Sequence, residues 1–135
     1  QQIAPLLMMQ AWQHYHRHEW ASALELANKM IRAEAAWEET FFLKARLYRL
    51  LYDTEATNLQ ALGFLIRAEE IGVHKLIEIP AEKGLLYMRM GDYGAARKEF
   101  ETYLAAQITM SDNPEEEKWA REMLWRCGQR TKTIK

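Results

Sequence analysis

The stretch from Gly84 to Phe100 constrains this chain more than any other. Gly84 and Tyr87 are three apart and share a helical face. Gly91-Asp92 then supplies a helix stop followed at once by a helix start. Ala96 and Phe100, four apart, place a small and a large residue on the buried stripe of the next helix. The pattern is a tight helical hairpin in which glycine lets a neighbour approach closely. Earlier segments echo it. Ala11, His14, Ala23 and Ala27 form one copy, with His18-Glu19-Trp20 in its turn. Phe41, Ala45, Tyr48, Ala61 and Leu65 form another. Ala23 and Ala61 are 38 residues apart, and Ala61 and Ala96 are 35 apart. The longer interval is assigned to extra residues in the turn from Asp53 to Asn58.

Gly84, Tyr87, Ala96 and Phe100 match in identity and spacing the signature of the tetratricopeptide repeat family, which this chain resembles over roughly residues 4–110. The family period is about 34 residues. Lys83, Pro80 and Ile108 depart from it, standing where Leu, Trp and Pro are usual. The resemblance implies an all-α, right-handed α-solenoid of about three helical hairpins plus a C-terminal capping helix. A single domain is expected over 1–135, with hairpins at about 4–35, 37–72 and 77–107, a capping helix at about 114–127 and a frayed tail at 128–135.

Local signals supply the helix limits. The first three helices are expected at about Ala4–Arg17, Glu19–Arg32 and Trp37–Leu51. Thr57 or Asn58 is the expected cap of the fourth, and Gly72 its stop. Pro80 suits a first turn, so the fifth begins near Ile79 or carries a kink after His74-Lys75-Leu76. The sixth is expected over Asp92–Ala106. Asn113, Pro114 and Glu115–Glu117 mark the start of the seventh, and Gly128 its end. Trp119, Met123 and Cys127 recur every four residues along it and suit a cap on the sixth helix. Repeat stacks need covered ends, and no such cap precedes the first hairpin, where Leu6, Met8 and Met9 lie.

Composition narrows the function classes. A formal net charge of −1 in 135 residues offers no field for nucleic acid or anionic membrane. No uncharged run approaches the length of a membrane span. Cys127 is the single cysteine, so neither an internal disulfide nor a cysteine-based metal site is expected. Gln1 is not an initiating methionine, so the chain reads as a processed protein or a piece of a longer one.

Candidate chemistry is sparse. His14, His16 and His18 resemble a metal motif, but only His14 and His18 share a helical face. A site would need a third ligand about 2 Å from the metal, and none is identifiable. The acidic pairs Glu38-Glu39 and Glu69-Glu70, and the run Glu115–Glu117, diverge by about 100° per residue and read as solvated faces or helix-dipole partners. Cys127 beside Arg126 reads as packed on the inner side of the last helix. Most of the five Trp and seven Met read as core. No catalytic residue, metal ligand or cofactor is assigned.

The resemblance implies a binding surface on the first helix of each hairpin. It would carry Met8, Trp12, Tyr15 and His16 from the first copy, Phe42, Arg46 and Arg49 from the second, and Leu85, Met88 and Arg89 from the third. An aromatic shelf beside guanidinium groups suits a protein or peptide partner with acidic and apolar residues. Met8 and Trp12 stand where the family's carboxylate clamp has Lys and Asn, so a clamp for a chaperone tail is not expected. The reading is a non-catalytic protein-protein interaction module. The alternative is an assembly or targeting domain of a larger protein complex, in which the repeats pack on their own larger protein or self-associate into a homo-oligomer through the N-terminal end.

Overall fold

A computed structural model describes residues 3–133. Among these the chain forms seven helices and no strand: α1 (Ile3–His16), α2 (Trp20–Arg32), α3 (Glu38–Leu51), α4 (Glu55–Ile71), α5 (Ile79–Arg89), α6 (Tyr93–Met110) and α7 (Pro114–Thr133). The fold class is all-α, of the helical-repeat solenoid type. Contacts gather into two compact units, residues 1–76 and 77–135.

In the first unit α1 pairs with α2, α2 with α3, and α3 with α4. Ala11, Ala23, Ala45 and Ala61 are fully buried, as their small size at helix contacts requires. Met30, Leu43 and Leu47 fill the space between them, with Trp20, Leu24 and Trp37 packed alongside. In the second unit α6 packs on both α5 and α7. Phe100 lies so close to Gly84 that a Cβ there would meet its ring at 2.6–2.8 Å. Trp119 sets its edge against Phe100 and Tyr103, at 5.6 and 5.8 Å between ring centroids.

The two hairpin turns that carry the repeat close identically. Asp92 N–H donates to Tyr87 O and Gly91 N–H to Met88 O; Glu19 N–H donates to His14 O and His18 N–H to Tyr15 O. Gly91 has φ 79° and His18, in the same place, φ 62°. A histidine therefore holds a left-handed position that glycine adopts without steric cost. Asp92 also caps α6 by accepting from Ala95 N–H at 3.1 Å.

Several limits move. Thr54, not Thr57 or Asn58, caps α4, in a reciprocal box with Thr57. Asn58 is buried and donates to Asp53 at 3.3 Å. The extra residues within the second copy thus form the first turn of α4 rather than a longer loop. α5 begins at Ile79 with Pro80 in its first turn. α6 runs on to Met110; Ile108, unlike a proline, leaves its hydrogen bonds intact. α7 passes through Gly128 to Thr133 instead of stopping there. Buried Cys127 and the Arg130 guanidinium over the Tyr93 ring anchor those late turns by packing. Ile134 and Lys135, the end of the expected frayed tail, lie outside the described residues. Lys83, at the usual Leu position, is accommodated by a half-sheltered ion pair with Glu99 at 3.3 Å.

Candidate functional site

On the first unit, α1 and α3 bring Trp12, Tyr15, His16, Phe42 and Arg46 together. Trp12 stands at the centre. Its ring meets Tyr15 edge-on at 5.2 Å, stacks near His16 at 6.1 Å and tilts over Phe42 at 6.5 Å. Its indole N–H donates to Glu39 Oε2 at 2.5 Å, which fixes the ring's orientation. The Arg46 guanidinium lies 4.6 Å from the Phe42 centroid and 5.9 Å from that of Tyr15. Cation–π attraction holds the guanidinium over both rings. Arg49, one turn on, is half-buried.

Two of the expected members sit deeper. Phe42 is 5% exposed and forms the floor beneath Arg46 and Trp12. Met8 is buried among Ala4, Leu7 and Ala11, and its sulfur accepts from Thr40 Oγ1 at 3.7 Å, so it belongs to the core rather than to the surface. One full turn separates Met8 from Trp12 on α1, and Thr40 at the start of α3 reaches the Met8 sulfur.

On the second unit, Leu85 and Met88 are half-buried against the Ala96–Phe100 core and Arg89 is exposed. Met88 also lines a shallow recess with Tyr93, Trp125, Arg126, Gln129 and Arg130. Sequence reading missed this recess because it ended the last helix at Gly128. The Arg126/Arg130 spacing of four, one helical face, was the signal that could have found it.

The titratable groups mostly serve the fold. Glu38, read as solvated, is 1% exposed. As the first residue of α3 it accepts from the backbone N–H of His74 and lies 3.5 Å from that ring. The His74 N–H holds its carboxyl below the usual carboxylate range, against the opposing effect of burial. The contact ties the segment after α4 to the start of α3. Lys44 lies 4.6 Å from the Phe64 centroid, and burial lowers its pKa. Tyr103 donates to Glu116 Oε2 at 2.7 Å, and burial followed by that carboxylate raises its pKa. Burial raises that of Cys127, which packs against α6. His14 pairs with Glu19 at 2.6 Å, and His18 stacks on Trp20 at 4.9 Å. No group of three or more His, Cys, Asp or Glu among the described residues is placed to hold a metal ion. No described helix is long and apolar enough to cross a membrane.

This architecture is a tetratricopeptide-like helical repeat. Among solved structures it is similar to PcrH from Pseudomonas aeruginosa, with a TM-score of 0.78 over 95% of this chain and 93% of that chain. Sequence identity is 14%, so the likeness is one of fold. No protein-family model matches the chain. No curated protein matches it either.

Proposed function

We propose that this chain is a non-catalytic protein-interaction module. The observation that carries the proposal is the shelf on α1 and α3: Trp12 oriented by Glu39, with Arg46 laid over Phe42 and Tyr15. A fixed indole, a planar cation and an apolar floor are the elements of a protein-binding hot spot. Trp12, Tyr15, His16, Arg46 and Arg49 present the contact surface on the first unit, with Phe42 beneath. Leu85, Met88 and Arg89 contribute on the second. The partner is a peptide or protein segment that combines carboxylates with apolar side chains. The buried titratable groups Glu38 and Tyr103 are engaged in structural hydrogen bonds, which supports binding rather than turnover. The test is affinity capture with mass spectrometry, comparing the wild type with Arg46→Glu/Arg49→Glu. A partner enriched on the wild type and lost from the variant supports the shelf; equal capture counts against it.

A second reading, self-association through the N-terminal helix, is favoured by Leu6 and Met9, which are 49% and 53% exposed on α1. Light scattering across a concentration series separates the two. A dimer that disperses in Leu6→Glu/Met9→Glu supports self-association, and a monomer throughout removes it.

A further inference from the structure

We propose that the recess on the second unit, lined by Met88, Tyr93, Trp125, Arg126, Gln129 and Arg130, binds an acidic peptide segment that carries an aromatic or aliphatic side chain next to its carboxylate. The inference rests on the reading of the chain as a protein-binding module and assigns it a second contact, on largely different residues, for the same class of partner. Trp125 is 64% exposed, although an indole is a large apolar body rarely left open to water. Met88 and Tyr93 extend that apolar platform. Arg126 and Arg130 stand one turn apart on α7, and no Asp or Glu is among the described residues that line the recess. Its described lining thus carries two cations, one of them paired with Glu122 beside the recess, in a chain whose net charge is −1.

Neither guanidinium is committed strongly. Arg126 reaches Glu122 at 3.4 Å, but both side chains are more than half exposed, and such a pair within one helix is weak. Arg130 lies over Tyr93 at 5.7 Å, a contact that leaves its hydrogen-bonding edge usable. An incoming carboxylate gains bidentate hydrogen bonds from one or both arginines. The adjacent side chain of the ligand covers Trp125 and Met88. A stacked nucleic-acid base would use the same indole, but two cations supply little of the charge that a phosphate backbone requires.

The test is calorimetric titration of the full chain. The probe is a blocked octapeptide alternating aspartate with leucine and phenylalanine; the controls are its lysine counterpart and octathymidylate. Saturable binding of the acidic peptide is expected, weakened about tenfold in Arg126→Glu/Arg130→Glu and in Trp125→Ala. It should also weaken severalfold as salt is raised. These positions are exposed, so unchanged circular dichroism verifies folding. Equal binding of the lysine peptide, tighter binding of octathymidylate, or no saturable binding to millimolar peptide would overturn the proposal. So would affinity retained in the variants. Affinity lost in Trp12→Ala but kept in Arg126→Glu/Arg130→Glu would remove this site and leave the first-unit shelf standing.

Discussion

The ring of Phe100 occupies the space that a side chain on Gly84 would need. A Cβ built on Gly84 meets ring carbons of Phe100 at 2.6, 2.8 and 2.8 Å. Real Cβ contacts do not come that close, so α5 and α6 pack at this distance only because residue 84 is glycine. The ring cannot swing aside freely, because Trp119 closes its other edge. Gly84→Ala should therefore cost about 1–3 kcal/mol by overpacking, although alanine is the better helix former. Phe100→Leu in the same background should recover part of the loss. Urea denaturation of the single and double variants measures both.

Trp119 serves the second unit as a wedge between α6 and α7. It touches Phe100 and Tyr103 edge-on, while Tyr103 reaches Glu116 across the same helix pair. Truncation to alanine should remove on the order of 3 kcal/mol. It should also loosen α7 around Cys127. The thiol, now buried and with a raised pKa, should react with a thiol reagent markedly faster in Trp119→Ala than in the wild type.

Glu34 offers the reverse experiment. It takes φ 55° at the end of α2, where Ala35 N–H donates to Met30 O. That left-handed position favours glycine. Glu34→Gly should stabilise the chain by about 1 kcal/mol. His18 has the same strain, but its ring stacks on Trp20, so His18→Gly should gain less. Thermal unfolding of the two variants side by side gives the ordering.

Acid stability should depend on Glu38. Its folded pKa lies below the ordinary glutamate value of about 4.3 because it accepts from the His74 N–H. A depressed carboxylate contributes its full stability above the unfolded pKa. That contribution is lost as pH falls through the folded one. Unfolding free energy should thus decline from about pH 5 downward. Glu38→Gln should lower stability at neutral pH and flatten the acid limb. An acid limb of unchanged slope in the variant would assign the decline to other carboxylates.

The depth at which each feature was legible follows from its range along the chain. Gly84, Tyr87, Ala96 and Phe100 act through spacings of three and four, which is how a helix face is written in sequence. The hairpins and their tight packing could be read directly. Glu38 could not, because its burial depends on His74, 36 residues away. The continuation of α7 through Gly128 was hidden for a similar reason: glycine is a common stop, and packing at Cys127 and Tyr93 overrides that local signal. On the candidate shelf, the aromatic and arginine positions followed from register. The Trp12–Glu39 hydrogen bond and the Thr40–Met8 contact join side chains 27 and 32 residues apart, beyond the reach of helical spacing.

Binding at the shelf should depend on Trp12 more than on any single arginine. Trp12 contacts Tyr15, His16 and Phe42 and is held by Glu39, so its orientation exists before a ligand arrives. Little conformational freedom is then lost on association. With a partner found by capture, Trp12→Ala should cost on the order of 2 kcal/mol of binding. Glu39→Gln keeps an acceptor for the indole and should cost much less. Arg46→Glu should weaken an acidic partner and make the remaining affinity less sensitive to salt, because the attraction it removes is a screened one. Fluorescence titration at two salt concentrations reads all three variants. Affinity indifferent to Trp12→Ala and Arg46→Glu alike would move the contact surface off α1 and α3.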